Sequence, residues 1–245
     1  MGPARGLSGN YVKFTFVKVR PEWRALSAGR RAEGKREFAA ACASFAEDHH
    51  LRAYSLVGSR GDADLMVRAV APRMGPIHDL HVLLNQSGLM AHADIAHSYL
   101  ALTRDSPYSD RPSPTAPRPG PDPPYLMVYP MVKKREWYGL PSEQRAAIMR
   151  DHIAVGRRFG TIETNTSYSF GMDDQEFVVA FGVQEPREFL EVVEALRGTE
   201  ASRYTERETP IFTCMAMSIE RALAALDGVS LPEPLSLARP AGALA

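Results

Sequence analysis

Hydrophobic and polar positions follow two different periods along the chain, and together they predict short strands and amphipathic helices. In the first half, YVKFTFVKV (11–19) alternates β-branched and aromatic residues in the manner of a strand. Residues 31–48 then place Phe38, Cys42 and Phe45 at i, i+4 and i+7, which is the spacing of one helix face. The first half ends with a hairpin, a helix and a strand, at 51–71, 77–85 and 95–103.

The second half repeats this order of elements. A strand is predicted at 125–132 and a helix at 142–159. They are followed by a hairpin, a helix and a strand, at 161–183, 186–196 and 211–218. A βαββαβ order used twice predicts an α+β fold made of two ferredoxin-like modules in one chain, with antiparallel sheets that helices cover on one face.

One stretch differs from both halves in composition. Eight prolines occur between Pro107 and Pro124, and such a segment can neither continue a helix nor enter a central strand. It is typical of an exposed, semi-rigid linker. The sequence therefore predicts an N-terminal module, a linker, a C-terminal module and a loose tail, at 10–104, 105–124, 125–228 and 229–245.

Composition argues against several classes of protein. Among the 245 residues, 29 Lys and Arg balance 29 Asp and Glu, and this lack of a basic excess disfavours nucleic-acid binding. The two cysteines form no CxxC pair, so neither a disulfide framework nor a structural zinc site is expected. No apolar run approaches the roughly 18 residues of a transmembrane helix, and the first ten residues lack the apolar stretch of a signal peptide. We therefore expect a cytoplasmic protein without a membrane or nucleic-acid partner.

A histidine on an apolar helix face is the first candidate for chemistry. In PSEQRAAIMRDHIAVGRRFG, Ile148, His152, Val155 and Phe159 follow a helical spacing. The structural interpretation is a buried histidine that is hydrogen-bonded to a backbone carbonyl. The functional interpretation is a single axial ligand to a haem iron in an apolar pocket, since neutral imidazole is the usual proximal ligand. Zinc fits less well, because no second His or Cys lies at a ligand spacing from His152.

The strand before this helix carries the second candidate group. Tyr129, Met131 and Lys133 share one parity along YLMVYPMVKK, so their side chains would line one wall of a pocket. Pro130 is typical of a strand edge or a bulge that faces a cavity. A phenol beside an amine can hold a carboxylate next to a redox-active group. The alternative is a cross-strand tyrosine with a surface lysine.

Four ordered segments of the second half resemble a known family. YPMVKKREWYGLP, MRDHIAVGRRF, TNTSYSFGMDDQEFVVAF and TEASRYTERETPIFTC are similar to the chlorite dismutase-like superfamily, and most of all to its haem-biosynthetic members, the coproheme decarboxylases. The resemblance covers about residues 125–215, and the first half agrees in pieces such as GDADLM and SYLALT. It implies a two-module dimeric α+β barrel, usually assembled as a homopentamer, with haem bound in the second module.

The resemblance also implies roles for single residues. His152 matches the proximal iron ligand of the family. Tyr129 and Lys133 match the radical-forming tyrosine and the propionate-anchoring lysine of the decarboxylases, and Met131 belongs to the same Tyr-Pro-Met-x-Lys motif beside the cofactor. Looser matches are an acidic hydrogen-bond partner for the proximal histidine and two residues that hold other propionates, namely Glu200, Arg203 and Thr209.

One position distinguishes the activities within the family. Chlorite dismutases carry an arginine seven residues before the glycine of the SFG-like turn, and counting back from Gly171 gives Thr164. Thr164 can donate a hydrogen bond to a ligand above the iron but carries no charge, so efficient chlorite chemistry is not expected. His97 is a remote candidate for a distal base.

The preferred hypothesis is an oxidoreductase of haem biosynthesis. It would use hydrogen peroxide to remove the carboxyl groups of the 2- and 4-propionates of iron-coproporphyrin III (coproheme), which leaves haem b. The porphyrin would then be both the substrate and the redox centre. The alternatives are a chlorite-degrading haem enzyme, a haem-binding or haem-transfer protein without catalysis, and a member that has lost haem.

Overall fold

The computed structural model describes residues 9–108 and 123–227. The strands are β1 (Tyr11–Val19), β2 (His50–Ser55), β3 (Leu65–Ala71), β4 (Ala93–Leu102), β5 (Tyr125–Lys133), β6 (Glu163–Tyr168), β7 (Phe177–Val183), β8 (Thr205–Arg207) and β9 (Phe212–Met217). The helices are α1 (Pro21–Ala25), α2 (Ala28–Asp48), α3 (Met74–Gln86), α4 (Arg135–Gly139), α5 (Ser142–Gly156), α6 (Pro186–Arg197), α7 (Glu200–Arg203) and α8 (Ile219–Ala225). Most of the predicted linker 105–124 and all of the predicted tail 229–245 lie outside the described residues, so these boundaries stay a prediction.

Two four-stranded sheets join into one barrel. The first half has the strand order β4-β1-β3-β2 and the second half β6-β7-β5-β9, with antiparallel neighbours throughout. The sheets meet along β2–β9 and through one register pair of β4 and β6, Leu102 with Tyr168. Eight strands therefore close on themselves, and β8 is added beside β5. This arrangement confirms the predicted α+β class with ferredoxin-like antiparallel sheets.

The two halves agree in register as well as in element order. Tyr11 pairs with Ala71 across β1 and β3, just as Tyr125 pairs with Val183 across β5 and β7. In both halves a short helix with the sequence Glu-Trp follows the first strand, in α1 and in α4. The fold is thus an internal repeat, and each residue of one half can be compared with its counterpart in the other.

That comparison shows where the second half departs from the first. Trp23 and Phe38 in the first half have the same separation along the chain as Trp137 and His152 in the second. Phe38 on α2 is fully buried in an apolar core, whereas His152 on α5 is only partly buried. The second half therefore carries a histidine at the place where the first half has a core phenylalanine.

The two halves also differ in how completely helices and apolar side chains cover the outer face of each sheet. The barrel interior is filled by residues of both sheets, among them Phe14, Phe16, Met66, Val128 and Phe212. On the outer face of the first sheet, α2, α3 and α8 enclose a large apolar core. On the outer face of the second sheet the buried set is smaller: Met127, Tyr129, Val179, Phe181, Val183, Phe189 and Val192. A cavity remains above it.

Element boundaries follow local chemistry. Helix α5 ends at Gly156 rather than at the predicted Phe159, because the amides of Arg158 and Phe159 donate to carbonyls three residues back instead of four. The sequence pattern misses α1, α4, α7 and β8, which have five residues or fewer and do not complete a recognisable period. The predicted elements also leave out helix α8, which packs on the first half: Asp227 just after it accepts a 2.9 Å hydrogen bond from the Trp23 indole.

Candidate functional site

The cavity lies between the outer face of the second sheet and helices α5 and α6, and its volume is about 1100 Å³. Pockets for drug-sized ligands usually measure about 300–1,000 Å³, so this one suits a large ligand. Register pairs such as Tyr129 with Val179 and Thr166 with Val179 place alternate residues of β5, β7 and β6 on the same face. The resulting floor consists of Tyr129, Met131, Phe177, Val179, Phe181, Thr164, Thr166 and Tyr168.

His152 reaches the cavity from α5. It lines the same wall as Met149, Ile153 and Gly156, whereas Ile148 turns away and packs in a separate cluster. The cavity-facing stripe is therefore rotated by one residue from the predicted one. Burial, with a smaller contribution from a nearby lysine cation, lowers the pKa of the His152 imidazole from 6.5 to about 4. The ring is accordingly neutral at neutral pH, which is the form that binds metals.

One hydrogen bond orients this ring. Nδ1 of His152 lies 2.8 Å from Oγ1 of Thr199, and Nε2 has no hydrogen-bond partner within the described ranges. The expected acidic partner, Glu200, is the neighbouring residue, but its side chain is exposed at the first position of α7. The expectation for Glu200 is thus corrected: the group on His152 is the hydroxyl of Thr199.

Tyr129 lies on the floor beneath this wall. Its ring stacks on Phe181 at a centroid distance of 6.3 Å and lies near Phe189, and only 9% of the residue is exposed. Burial raises the pKa of the phenol to about 12. Its hydroxyl carries no hydrogen bond to any described residue. Tyr129 is therefore a protonated phenol with its O–H available to a ligand in the cavity.

Lys133 is a buried cation at the end of the same strand. Its Nζ donates to the Ala201 carbonyl at 3.1 Å and to Thr205 Oγ1 at 3.3 Å, and it lies 5.2 Å from the centre of the Trp137 ring. Burial lowers the pKa of the amine to about 8, and the carboxylate of Glu176 opposes this shift. An ammonium group has three donors, so one is left for a carboxylate ligand.

The cavity is electropositive. Five of its described lining residues are cationic and two are acidic: Arg104, Lys133, Arg145, Arg157 and Arg197 against Glu143 and Glu208. Arg197 and Glu208 form an ion pair. Nε of Arg145, in contrast, is buried without a hydrogen-bond partner in the described structure. The excess of cations suits a ligand with several negative groups.

The remaining predicted residues divide into two groups. Met131 and Thr164 line the cavity with Tyr129, Lys133 and His152. Arg203 and Thr209 are exposed and do not line it. The distal candidate His97 is also elsewhere: its Nε2 lies 2.9 Å from Oδ2 of Asp62, and its ring packs on Phe212 outside the cavity.

Sequence reasoning missed two residues of the site, Thr199 and Arg145. A period count from His152 would have found Arg145, since it precedes His152 by two helical turns on α5. Thr199 gives no such signal, because it belongs to a turn that only the fold brings beneath the histidine. Across residues 9–108 and 123–227, three or more His, Cys, Asp or Glu side chains nowhere cluster as a metal site. No helix in those ranges has the length and apolar character needed to cross a membrane.

Comparison with known proteins shows the family and the fold of the chain. The family model described as chlorite dismutase matches residues 31–217. Coproheme decarboxylase from Mycolicibacterium smegmatis is 31% identical over 175 residues, which is 71% of this chain and 75% of that protein. Coproheme decarboxylase from Thermus thermophilus is 29% identical over 170 residues, which is 62% of this chain and 66% of that protein.

Solved structures share the fold at lower identity. A variant of chlorite dismutase from Candidatus Nitrospira defluvii superimposes with a TM-score of 0.82 at 21% identity, covering 90% of this chain and 96% of its own. A haem-binding protein from Thermus thermophilus superimposes with a TM-score of 0.77 at 24% identity and the same coverage.

Fold and site together define a class: a two-module α+β barrel protein with a large, electropositive, histidine-lined ligand cavity over its second sheet. Within that class, the chain belongs to the haem-related chlorite dismutase family, whose model matches most of its length.

Proposed function

We propose that this chain is a peroxide-dependent coproheme decarboxylase. The observation that carries the proposal is the meeting, in one cavity, of a neutral imidazole with a free Nε2, a phenol free of hydrogen bonds and a buried amine, from His152, Tyr129 and Lys133. The two curated relatives named coproheme decarboxylase support the same reaction.

An iron porphyrin fits what the cavity offers. His152 would bind the iron through Nε2, and Phe181 and Val179 of the floor would offer apolar surface to the macrocycle. Four propionates would meet the five cationic side chains of the cavity lining. When bound, the iron supplies the oxidising power that peroxide delivers.

The reaction balances without a further cofactor. Each propionate becomes a vinyl group and carbon dioxide, with the loss of two electrons and one proton. One hydrogen peroxide accepts these two electrons. It also takes up two protons, one from the propionate and one from solvent, and yields two water molecules. Two propionates therefore consume two molecules of peroxide, and no other oxidant is required.

Tyr129 would remove the hydrogen atom from the β-carbon of the reacting propionate. Its high pKa keeps the phenol protonated, so oxidation by one electron releases a proton and leaves a neutral tyrosyl radical. The stacked ring of Phe181 and the nearby Phe189 hold the phenol in place and keep water away from it. A Tyr129 radical then regains a hydrogen atom from the substrate. The carbon radical left on the propionate would release carbon dioxide and give up its second electron to the remaining oxidising equivalent of the peroxide.

Lys133 would orient the carboxylate that leaves. Its ammonium has one free donor, and it lies on the strand face that carries Tyr129. A bound carboxylate would compensate the charge that burial destabilises.

Thr164 argues for this reaction over chlorite degradation. It lies on the cavity floor and offers a hydroxyl without charge, and by the family resemblance it matches the distal arginine of chlorite dismutases. We further propose the cytoplasmic location and the homopentameric assembly that the family resemblance implies.

The test is a product analysis of the Tyr129→Phe variant. The full chain is supplied with ferric coproheme and peroxide, and porphyrin products are identified by mass spectrometry. Wild type should yield haem b, whereas Tyr129→Phe should bind coproheme almost normally and stall before the first loss of carbon dioxide. Tyr125→Phe is the matched control, because Tyr125 lies on the same strand outside the cavity lining. Near-wild-type conversion by Tyr129→Phe would refute the role of Tyr129, and absence of haem b from wild type would refute the proposed reaction.

A further inference from the structure

We propose that Thr199 is a positioning residue that fixes the tautomer of His152, so that the proton resides on Nδ1 and the lone pair of Nε2 is directed to the iron. The iron in this statement rests on the proposed function; the tautomer itself does not. Thr199 thus takes the role for which the sequence suggested the carboxylate of Glu200.

The argument follows from counting protons. Oγ1 of Thr199 lies 2.7 Å from the carbonyl oxygen of Leu196 and 2.8 Å from Nδ1 of His152. Two oxygen atoms at 2.7 Å need a proton between them, and a carbonyl supplies none, so the single hydroxyl proton of Thr199 is used there. Towards His152 the hydroxyl can only accept. Nδ1 must therefore carry the proton, and Nε2 is the nitrogen with the lone pair.

The internal repeat supports this assignment independently. In the first half, Ser87 occupies the position of Thr199, three residues after a buried leucine at the end of a helix, and its Oγ donates to the Leu84 carbonyl at 2.7 Å. No histidine accompanies Ser87, since its half carries Phe38 instead of His152. The hydroxyl-to-carbonyl bond is thus a property of the turn itself. In the second half the same turn leaves an acceptor lone pair that the histidine uses.

The consequence is a site prepared before any ligand arrives. Free imidazole exchanges between two tautomers, and a ligand that needs Nε2 selects one of them. A hydroxyl whose own proton is already committed removes that choice, because protonation of Nε2 would leave two lone pairs facing each other at 2.8 Å. The acceptor is also uncharged, so the proton stays on Nδ1 rather than moving towards its partner.

The experiment reads the tautomer in the ligand-free full chain. Histidine labelled with ¹⁵N in the ring is observed by magic-angle-spinning NMR, and the His152 signals are assigned by their loss in His152→Gln. We expect wild type to show a protonated Nδ1 and an unprotonated Nε2. Thr199→Val, which keeps the shape but removes the acceptor, should give a mixture with substantial Nε2–H. Thr199→Ser should restore the wild-type spectrum.

A second measurement connects the tautomer to the ligand. Soret titration with ferric haem should show Thr199→Val binding roughly 10- to 100-fold more weakly, as loss of a hydrogen bond to a metal-ligating histidine usually does. Ser87→Ala is the matched control, because it removes the equivalent turn bond far from His152 and should change neither the tautomer nor the affinity.

The possible outcomes separate cleanly. A wild-type His152 with its proton on Nε2, or a Thr199→Val spectrum identical to wild type, would overturn the proposal, and so would equal losses of haem affinity in Thr199→Val and Ser87→Ala. If wild type shows the expected tautomer but binds neither haem nor coproheme, the role of Thr199 stands as a positioning role and the proposed function fails.

Discussion

Replacement of Lys133 by methionine should make the ligand-free protein more stable at neutral pH. Burial lowers the pKa of this amine from 10.5 to about 8, and a difference of that size corresponds to roughly 3 kcal/mol that the charged form costs in the folded state. Methionine keeps most of the side-chain volume and carries no charge. The hydrogen bonds to Ala201 and Thr205 are lost, which costs about 1–2 kcal/mol together.

The loss at Ala201 is limited because its carbonyl keeps the amide of Tyr204 as a second partner, at 3.3 Å. The net gain for Lys133→Met is therefore about 1–2 kcal/mol at pH 7. In a chain of this length that amounts to an increase of roughly 2–4 °C in the midpoint of thermal unfolding. Differential scanning calorimetry of the ligand-free protein measures it. Lys134→Met, at the exposed neighbouring position, should change the midpoint little.

The pH dependence has a definite sign. Between about pH 8 and 10.5, Lys133 binds fewer protons in the folded than in the unfolded state, so the wild type gains stability as pH rises through this window. Lys133→Met has no such gain, and its advantage should shrink as pH rises from 8. A variant that is less stable than wild type at pH 7, or whose advantage is the same at pH 7 and 10, would refute the assignment of Lys133 as a destabilising buried cation. The same variant should bind coproheme less well, because stability and function oppose each other at this residue.

Three further predictions concern the candidate site and the packing of helix α2. His152→Ala should abolish or greatly weaken the Soret shift on addition of haem or coproheme, and an unchanged spectrum would remove His152 as the ligand. Chlorite should be turned over negligibly, because Thr164 carries no charge; oxygen evolution at the rate of a dedicated enzyme would contradict this. Gly34→Ala should destabilise the protein by about 1–3 kcal/mol in urea unfolding, since the new Cβ would lie 2.7 Å from the backbone nitrogen of Leu89. Gly29→Ala on the same helix has open space and should be neutral or stabilising.

Much of the fold follows from the sequence because its long elements have clear periods. The strand predicted at 11–19 has the bounds of β1, and the predicted helix 186–196 differs from α6 by one residue. The pairing of β4 with β6, in contrast, could not be predicted from the sequence. It rests on one register pair, Leu102 with Tyr168, and no local pattern indicates which strand edges will meet.

The candidate site also contains residues that a local pattern predicts and a residue that only tertiary packing brings into place. Tyr129, Met131 and Lys133 share a face because a strand alternates, so parity alone brings them to one wall. The partner of His152 depends instead on how the end of α6 packs beneath α5, where a shift of one residue exchanges Glu200 for Thr199. Contacts between elements are decided by tertiary packing, which single-sequence periodicity does not contain.

The cavity over the second sheet has a consequence for the degradation of the protein in the cell. The first half completes its own apolar core, while the second leaves about 1100 Å³ to be filled from outside. A ligand that occupies this space binds only the folded chain, so at a hundredfold excess over its dissociation constant it adds about 2.7 kcal/mol to the free energy of unfolding. The steady-state level of the protein, set by the fraction that proteases find unfolded, then rises and falls with the supply of its ligand.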